Sequence, residues 1–258
     1  MKITRTVVPS VFTTLNIVCG FLSIIFASQG QFFIAAWVII AAAVFDSLDG
    51  AMARMTRSSS QFGVELDSLA DVVSFGAAPS FLVYQVYLRM VEPWGILIAA
   101  LPVVLGAIRL ARFNVQLVGF DKDYFNGLPI PMQAIAVCAF ILQFGKDNLG
   151  LEGIAGAELL TLVVLLSLLM VSHVKYDTMP KFSIHRMKKH PWKYIVILAA
   201  LLVLLVSEIL FDTIYLFQML MLYVLYGMFR AAVLWIKKIF VKTEHESVKA
   251  GKLSSIDI

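Results

Sequence analysis

The chain has 258 residues, of which 60% are hydrophobic and 15% are charged, and its mean hydropathy is +0.87. A soluble domain carries about a quarter charged residues, so this composition excludes an ordinary soluble enzyme and indicates a polytopic membrane protein. The net charge of +4 is modest, and we expect no nucleic-acid partner. No small-residue cleavage site follows residues 1–10, so we also expect no cleaved signal peptide.

Apolar stretches along the chain are each close to the roughly 20 residues that a membrane-spanning helix requires. In chain order they predict eight spans, at 11–29, 32–54, 64–88, 93–114, 131–146, 156–175, 192–210 and 213–236. With the N-terminus in the cytoplasm, all but two of the 21 Lys and Arg residues fall on the inner side, the exceptions being Arg89 and Lys146. The positive-inside rule therefore predicts an all-α polytopic membrane protein of about eight transmembrane helices, with both termini inside.

Four aspartates lie on the second and third predicted spans, at a depth where ionised side chains are costly. Asp46 and Asp49 are three residues apart and share one face of the second helix. Asp67 and Asp71 are four apart and share one face of the third. Because the two helices run antiparallel, with Asp46 and Asp71 each roughly 12 Å from the inner helix end, these two should face each other. By the same count Asp49 should face Asp67.

This grouping of carboxylates predicts a metal site. Carboxylates this close repel one another, and burial alone would protonate some of them. Divalent cations would remove both problems, and oxygen-only ligands suit Mg²⁺, Mn²⁺ or Ca²⁺. Two ions bridged by shared aspartates would form the two-metal arrangement that is used in phosphoryl chemistry.

Small residues are interleaved with the aspartates. Gly50, Ala53 and Gly63 have little or no side-chain bulk, so a large polar ligand can approach the helix backbones beside them. Arg54, at the inner end of the second helix, is placed to meet a phosphate. Small residues in membrane helices also serve helix packing alone, and for each residue taken singly that alternative stays open.

The combined pattern resembles the signature of the CDP-alcohol phosphotransferases, with every fixed position filled. It reads Asp46-x-x-Asp49-Gly50-x-x-Ala53-Arg54, then eight residues, then Gly63-x-x-x-Asp67-x-x-x-Asp71. The resemblance implies a core of six transmembrane helices, a homodimer, and two divalent cations (Mg²⁺ or Mn²⁺) that are held by the four aspartates. It also implies that a CDP-linked substrate exchanges CMP for an alcohol, with Asp71 as general base.

The same resemblance gives expectations for the nucleotide pocket and for the acceptor. We expect the pocket to be lined by Asp49, Gly50, Ala53, Arg54 and Gly63. Three further segments, 8–20, 109–114 and 125–131, are similar to the membrane-bound phosphatidylserine synthases of bacteria and archaea within this family. They imply CDP-diacylglycerol as the donor and the hydroxyl of L-serine as the acceptor.

Several polar residues outside the signature are candidates for substrate contact. Arg109 and Arg112 share a helix face and suit a serine carboxylate or a donor phosphate; the alternative is that they are anchors that snorkel to the interface. Thr13 and Asn16 on the first span can touch the pyrophosphate or a metal, although hydrogen bonds between helices explain them equally well. Asn126 precedes a stiff, proline-rich turn that either shapes the acceptor pocket or only joins two helices.

These expectations divide the chain into three parts. A catalytic six-helix core occupies 1–178, an appended helix pair with a basic inner loop occupies 179–240, and a cytoplasmic tail occupies 241–258. We expect an integral protein of the cytoplasmic membrane, in contact with membrane lipid, whose active site faces the cytoplasm.

Two alternatives remain open on the sequence alone. Phosphatidylglycerophosphate, cardiolipin and phosphatidylinositol-phosphate synthases share the aspartate signature and differ in the acceptor. A divalent cation transporter would also carry intramembrane carboxylates, but it would not explain the small residues and Arg54 at fixed offsets from them.

Overall fold

The computed structural model describes residues 3–56, 61–116, 124–145, 151, 153–172, 174–177, 215–231 and 233. Within these residues the fold is a bundle of helices. In chain order the helices are α1 (Ile3–Ser28), α2 (Phe32–Thr56), α3 (Gln61–Asp71), α4 (Ala78–Val86), α5 (Trp94–Gln116), α6 (Ile130–Phe144), α7 (Gly153–Val171) and α8 (Leu216–Ala231). A π-helical segment, Val72–Ala77, joins α3 to α4, and a 3₁₀ turn, Leu88–Met90, follows α4.

The described helices confirm the predicted all-α membrane class. Five of them are long and apolar enough to cross a membrane, at Val11–Ser28, Phe32–Ala53, Gln61–Val86, Trp94–Val115 and Gly153–Val171. Helices α6 and α8 are apolar but shorter. The first six predicted spans coincide with these helices, and α8 lies inside the predicted eighth span. The predicted span at 192–210 lies outside the described residues, and the inward orientation of both termini stays a prediction.

The first two helices form a tight hairpin because small side chains line their contact. Gly30 takes the left-handed conformation (φ 78°) that this turn requires, and its N–H donates to Ala27 at 3.1 Å. Ala27 and Ala35 are buried, and Ser23 donates to the Ala35 carbonyl at 3.0 Å. Small residues allow two membrane helices to approach closely, and here they bring α1 against the helix that carries Asp46.

Helix α6 forms the centre of the bundle. It contacts α2, α4, α7 and the π-helical segment, and most of its side chains are buried. It begins after Pro129, and a second proline lies in its first turn. The N–H groups of a first turn have no acceptor within the helix, so a proline there costs no hydrogen bond. Ile130 lies against Gly106 of α5, where a Cβ would meet the Ile130 side chain. This contact fixes the start of α6 one turn from Arg109.

A short antiparallel pair of strands was not predicted from the sequence. Strand β1 (Tyr124–Asn126) pairs with β2 (Lys175–Asp177), with Phe125 opposite Tyr176. Gly127 follows β1 with φ 85°, and its N–H donates to Val174 at 2.8 Å. The pair ties the connection before α6 to the end of α7, two segments that the sequence places on the same side of the membrane.

Candidate metal centre and active site

Three of the four aspartates meet at one point. Asp46 of α2 and Asp67 and Asp71 of α3 each offer a carboxylate oxygen, and these atoms all lie within 4.8 Å of one another. Asp71 is buried, and the other two are half-buried. The four-residue spacing on α3 stacks Asp67 and Asp71 on one face, and α2 supplies the third oxygen from across the gap. The predicted meeting of Asp46 with Asp71 is therefore seen.

Asp49 occupies a different position from the other three. It is buried, and its Oδ2 accepts a hydrogen bond from the Thr13 hydroxyl of α1. It remains within electrostatic range of Asp46 and Asp67. The structure thus arranges the predicted set as three clustered carboxylates and one neighbour that α1 holds aside. The Thr13 hydroxyl thus makes a hydrogen bond between helices, and its contact with a pyrophosphate or a metal stays a prediction.

The chemistry of this cluster fits hard divalent cations. Asp71 Oδ1 and Asp49 Oδ1 are buried and accept no hydrogen bond from the residues that the structure describes. A buried carboxylate oxygen without a partner is costly, and a cation is the partner that would satisfy several such oxygens together. Oxygen ligands alone are the set that Mg²⁺ and Mn²⁺ prefer. Asp46, Asp67 and Asp71 can therefore hold a metal, with Asp49 Oδ1 close by.

Asn16 lies beside Asp71 because α1 docks directly on the π-helical segment. The Ser74 hydroxyl donates to the backbone carbonyl of Asn16 at 2.7 Å, and both residues are fully buried. Gly20 permits this approach, since a Cβ there would lie 2.7 Å from the Ser74 Cα. The side-chain amide of Asn16 faces the Asp71 carboxyl group and is close enough to interact with it. A buried amide in that position can bind a polar ligand. Ser74 and Gly20 are contributors that the sequence analysis missed.

The two arginines of α5 have separate surroundings. Arg109 is 6% exposed and lies within electrostatic range of Asp71, so it belongs to the candidate site. That burial contradicts a snorkelling anchor for Arg109. Arg112 is half-buried, and its Nη2 donates to the Val171 carbonyl at 3.2 Å. It therefore binds the C-terminal end of α7, where a cation is favourable.

The remaining predicted residues surround the cluster to different extents. Gly50, Ala53 and Gly63 are half-buried on the helices that carry the aspartates. Arg54 lies two residues before Thr56, the last residue of α2, and Asn126 ends β1; their side chains lie outside the described atoms. One further contact was not predicted: Asn114 of α5 donates to Ser68 at 2.9 Å, which ties α5 to the stretch of α3 between its two aspartates.

Comparison with known families settles the class of protein. The sequence profile described as CDP-alcohol phosphatidyltransferase matches residues 6–169. The chain belongs to this family. The predicted family is therefore confirmed, and the chain is an integral membrane enzyme of the phosphatidyltransferase class. A cation transporter, the alternative from another class, loses its support.

Two CDP-alcohol phosphatidyltransferases that are similar to this chain carry names that agree with each other. A CDP-diacylglycerol–serine O-phosphatidyltransferase of Helicobacter pylori is 39% identical over 92% of this chain and 95% of its own length. An archaetidylserine synthase of Methanothermobacter thermautotrophicus is 38% identical over 65% of this chain and 68% of its own length. The alignment with the Helicobacter protein extends past residue 169, so the C-terminal part of this chain is shared with that relative.

One solved structure is similar to the CDP-alcohol phosphatidyltransferase core at a lower level. It is a phosphatidylinositol phosphate synthase of Mycobacterium tuberculosis with CDP-DAG bound, which is 21% identical. The match covers 65% of this chain and 82% of that one, with a TM-score of 0.49.

Proposed function

We propose that this protein transfers the phosphatidyl group from CDP-diacylglycerol to the hydroxyl of L-serine, giving phosphatidylserine and CMP. The observation that carries the proposal is the meeting of Asp46, Asp67 and Asp71 beside a buried arginine, Arg109. The serine acceptor is supported by the names of the relatives, both of which specify a serine product or substrate.

The carboxylates would hold two divalent cations, Mg²⁺ or Mn²⁺. Asp46, Asp67 and Asp71 supply clustered oxygens, and Asp49 can join with Oδ1 while Oδ2 keeps its hydrogen bond to Thr13. When bound, such cations neutralise charge on a pyrophosphate and on the departing CMP. The Thr13 contact fixes the direction in which Asp49 points before any ligand arrives.

Asp71 is the residue that we place as general base. It takes the proton from the serine hydroxyl while that oxygen forms a bond to the lipid-linked phosphorus. The bond from this phosphorus to the CMP oxygen breaks in the same step, so direct attack inverts the configuration at phosphorus. Arg109, with its planar fork of donors, binds an anionic substrate group, either the serine carboxylate or a donor phosphate. Much of the rate enhancement then comes from positioning and charge neutralisation.

The nucleotide pocket is proposed from the residues around the cluster. Gly50, Ala53 and Gly63 leave room for cytidine and pyrophosphate against the helix backbones. Arg54 and Asn126 would contact the donor phosphate and the polar acceptor. We further propose a homodimer in the cytoplasmic membrane, with the site open to the cytoplasm and the acyl chains of the donor left in the bilayer.

An acceptor screen tests the proposed reaction. Purified protein in vesicles that contain CDP-diacylglycerol is offered L-serine, glycerol 3-phosphate or inositol phosphate in turn, with Mn²⁺ or with EDTA, and CMP release is measured. We expect CMP release with serine and Mn²⁺, and loss of that release with EDTA. Release with another acceptor and none with serine would show that the acceptor has been assigned wrongly.

A further inference from the structure

The π-helical segment, Val72–Ala77, begins at the residue that follows Asp71. Its wider hydrogen bonding is seen where it ends, because the N–H of Ala78 donates to the carbonyl of Val73, five residues back. Pro79 comes next, and a proline has no N–H to donate and clashes with the carbonyl four residues before it. Local π adjustments satisfy the backbone groups that a proline releases within a membrane helix. The sequence therefore explains why the helix departs from α geometry directly after the proposed base.

Close backbone contacts hold the π-helical segment between two helices. On one side the Ser74 hydroxyl donates to the backbone carbonyl of Asn16 at 2.7 Å, and a Cβ on Gly20 would lie 2.7 Å from the Ser74 Cα. On the other side a Cβ on Gly76 would lie 3.2 Å from the Cα of Val103 in α5. Ser74 and Gly76 are both buried. The contact with α5 is one of packing, whereas the contact with α1 includes a hydrogen bond with a defined direction.

Helix α1 presents one buried face to both of the helices that carry the aspartates. Thr13 and Asn16 are three residues apart and both buried, so they share this face. The Thr13 hydroxyl donates to Asp49 of α2, and one turn further along α1 the Asn16 carbonyl accepts from Ser74. The same face of α1 thus holds a carboxylate of α2 and the backbone that follows Asp71.

We propose that Ser74 is a positioning residue for Asp71: its hydrogen bond to the α1 backbone fixes the π-helical segment, and with it the place of the Asp71 carboxylate in the aspartate cluster. The two residues are three apart on a continuous helical backbone, so a shift of one moves the other. A misplacement of about 1 Å is enough to slow catalysis strongly, because reacting groups must meet at set distances. This inference rests on the proposed role of Asp71 as metal ligand and general base.

The test is Ser74→Ala, with Ser23→Ala as the matched control. Ser23 is also fully buried and also donates to a carbonyl of a neighbouring helix, that of Ala35 at 3.0 Å, but it lies about 15 Å along α1 from Thr13. Mn²⁺ affinity is measured by electron paramagnetic resonance without substrate. The kinetic constants are measured at saturating Mn²⁺, with CDP-diacylglycerol and whichever acceptor supports CMP release by the wild type.

We expect Ser74→Ala to weaken Mn²⁺ binding and to lower kcat, each by about tenfold, because the Asp71 carboxylate is no longer held in place. The KM for CDP-diacylglycerol should stay within twofold of the wild-type value. Ser23→Ala should keep wild-type values of all three quantities. Thermal unfolding should shift equally in the two variants, since each loses one hydrogen bond between helices.

The same substitution made in an Asp71→Asn background separates the positioning of Asp71 from a general effect on the bundle. If Ser74 acts through Asp71, adding Ser74→Ala to Asp71→Asn should change Mn²⁺ affinity by less than twofold. Wild-type Mn²⁺ affinity or wild-type kcat in Ser74→Ala, or an equal loss of Mn²⁺ affinity in both backgrounds, would overturn the inference. A wild type that ignores serine but uses another acceptor would count against the proposed reaction alone, because the variants are compared by Mn²⁺ binding and with the acceptor that works.

Discussion

Helices α3 and α6 are built in opposite ways. Most of α6 is buried, and it contains no acidic or basic side chain. Helix α3 carries three acidic residues in eleven, and only Ala70 and Asp71 of this helix are buried. Helix α6 stabilises the fold through the packing of its buried side chains. Helix α3 packs less closely, because it carries carboxylates whose burial is unfavourable. The difference indicates that the acids of α3 are kept for chemistry, because nothing in the packing of the described residues requires them.

The largest effect should come from Asp71→Asn. Replacement of the proposed base should lower kcat by about a thousandfold or more, while the protein still folds and binds CDP-diacylglycerol. Relief of the repulsion from Asp46 and Asp67, which outweighs the attraction of Arg109, should leave the melting temperature unchanged or higher. The control is Glu65→Gln, an exposed acid on the same helix, which should keep wild-type turnover. Full turnover in Asp71→Asn would show that Asp71 is not the general base. It would also contradict the conclusion that the acids of α3 are kept for chemistry.

A smaller loss is expected from Thr13→Val, which keeps the shape of the side chain but removes the donor to Asp49. With Asp49 free to rotate, we expect kcat/KM to fall about tenfold, the effect of one hydrogen bond to a charged group. Thr161→Val is the control, since the Thr161 hydroxyl is exposed and donates to a carbonyl of its own helix. Equal turnover in Thr13→Val and the control would mean that Asp49 does not depend on α1 for its orientation.

A substitution in α6 should lower the stability of the protein and leave its turnover nearly unchanged. Ile141 is 1% exposed, so Ile141→Ala should lower the free energy of unfolding by roughly 2–4 kcal/mol through the cavity it leaves. Turnover per folded molecule should stay within about twofold of wild type, because the helix carries no group of the site. Leu165→Ala on the exposed face of α7 should be milder. Thermal unfolding followed by size-exclusion chromatography measures the first quantity, and CMP release the second.

The smallest effect should come from Gln133→Leu. Gln133 is an exception to the apolar character of α6, because it is fully buried and its amide atoms lack hydrogen bonds within the described residues. An apolar side chain of similar size should therefore leave stability unchanged or raise it by about 1 kcal/mol, with turnover unaffected. A selective loss of turnover would mean that Gln133 touches a substrate, and α6 would then no longer be a purely structural helix.

Much of the fold could be predicted because it follows from local properties of the chain. Apolar stretches of sufficient length located the first six spans, and the four-residue spacing of Asp67 and Asp71 placed both on one helix face. The strand pair could not be predicted, because a three-residue strand is too short to show the alternation of apolar and polar residues that identifies a strand. The division of the chain at residue 178 stays a prediction.

The details of the site depend on contacts between distant parts of the chain. The spacing of residues along the sequence does not reveal such contacts. Asp49 is held apart from the other aspartates by a hydroxyl 36 positions away. Asn16 reaches Asp71 because Ser74, in a π-helical turn, binds the α1 backbone. Residue periodicity describes one helix at a time, so it cannot show which neighbour a side chain will meet.

The central claim is that α2 and α3 together hold divalent cations, and Mn²⁺ binding tests it without reference to turnover. Free Mn²⁺ can be followed by electron paramagnetic resonance in purified wild type, in Asp67→Asn, and in Glu65→Gln as the control on the same helix. We predict that the wild type and Glu65→Gln bind Mn²⁺ alike and that Asp67→Asn binds it at least tenfold more weakly, as expected when a charged oxygen ligand is lost. Equal Mn²⁺ affinity in Asp67→Asn and the wild type would contradict the account.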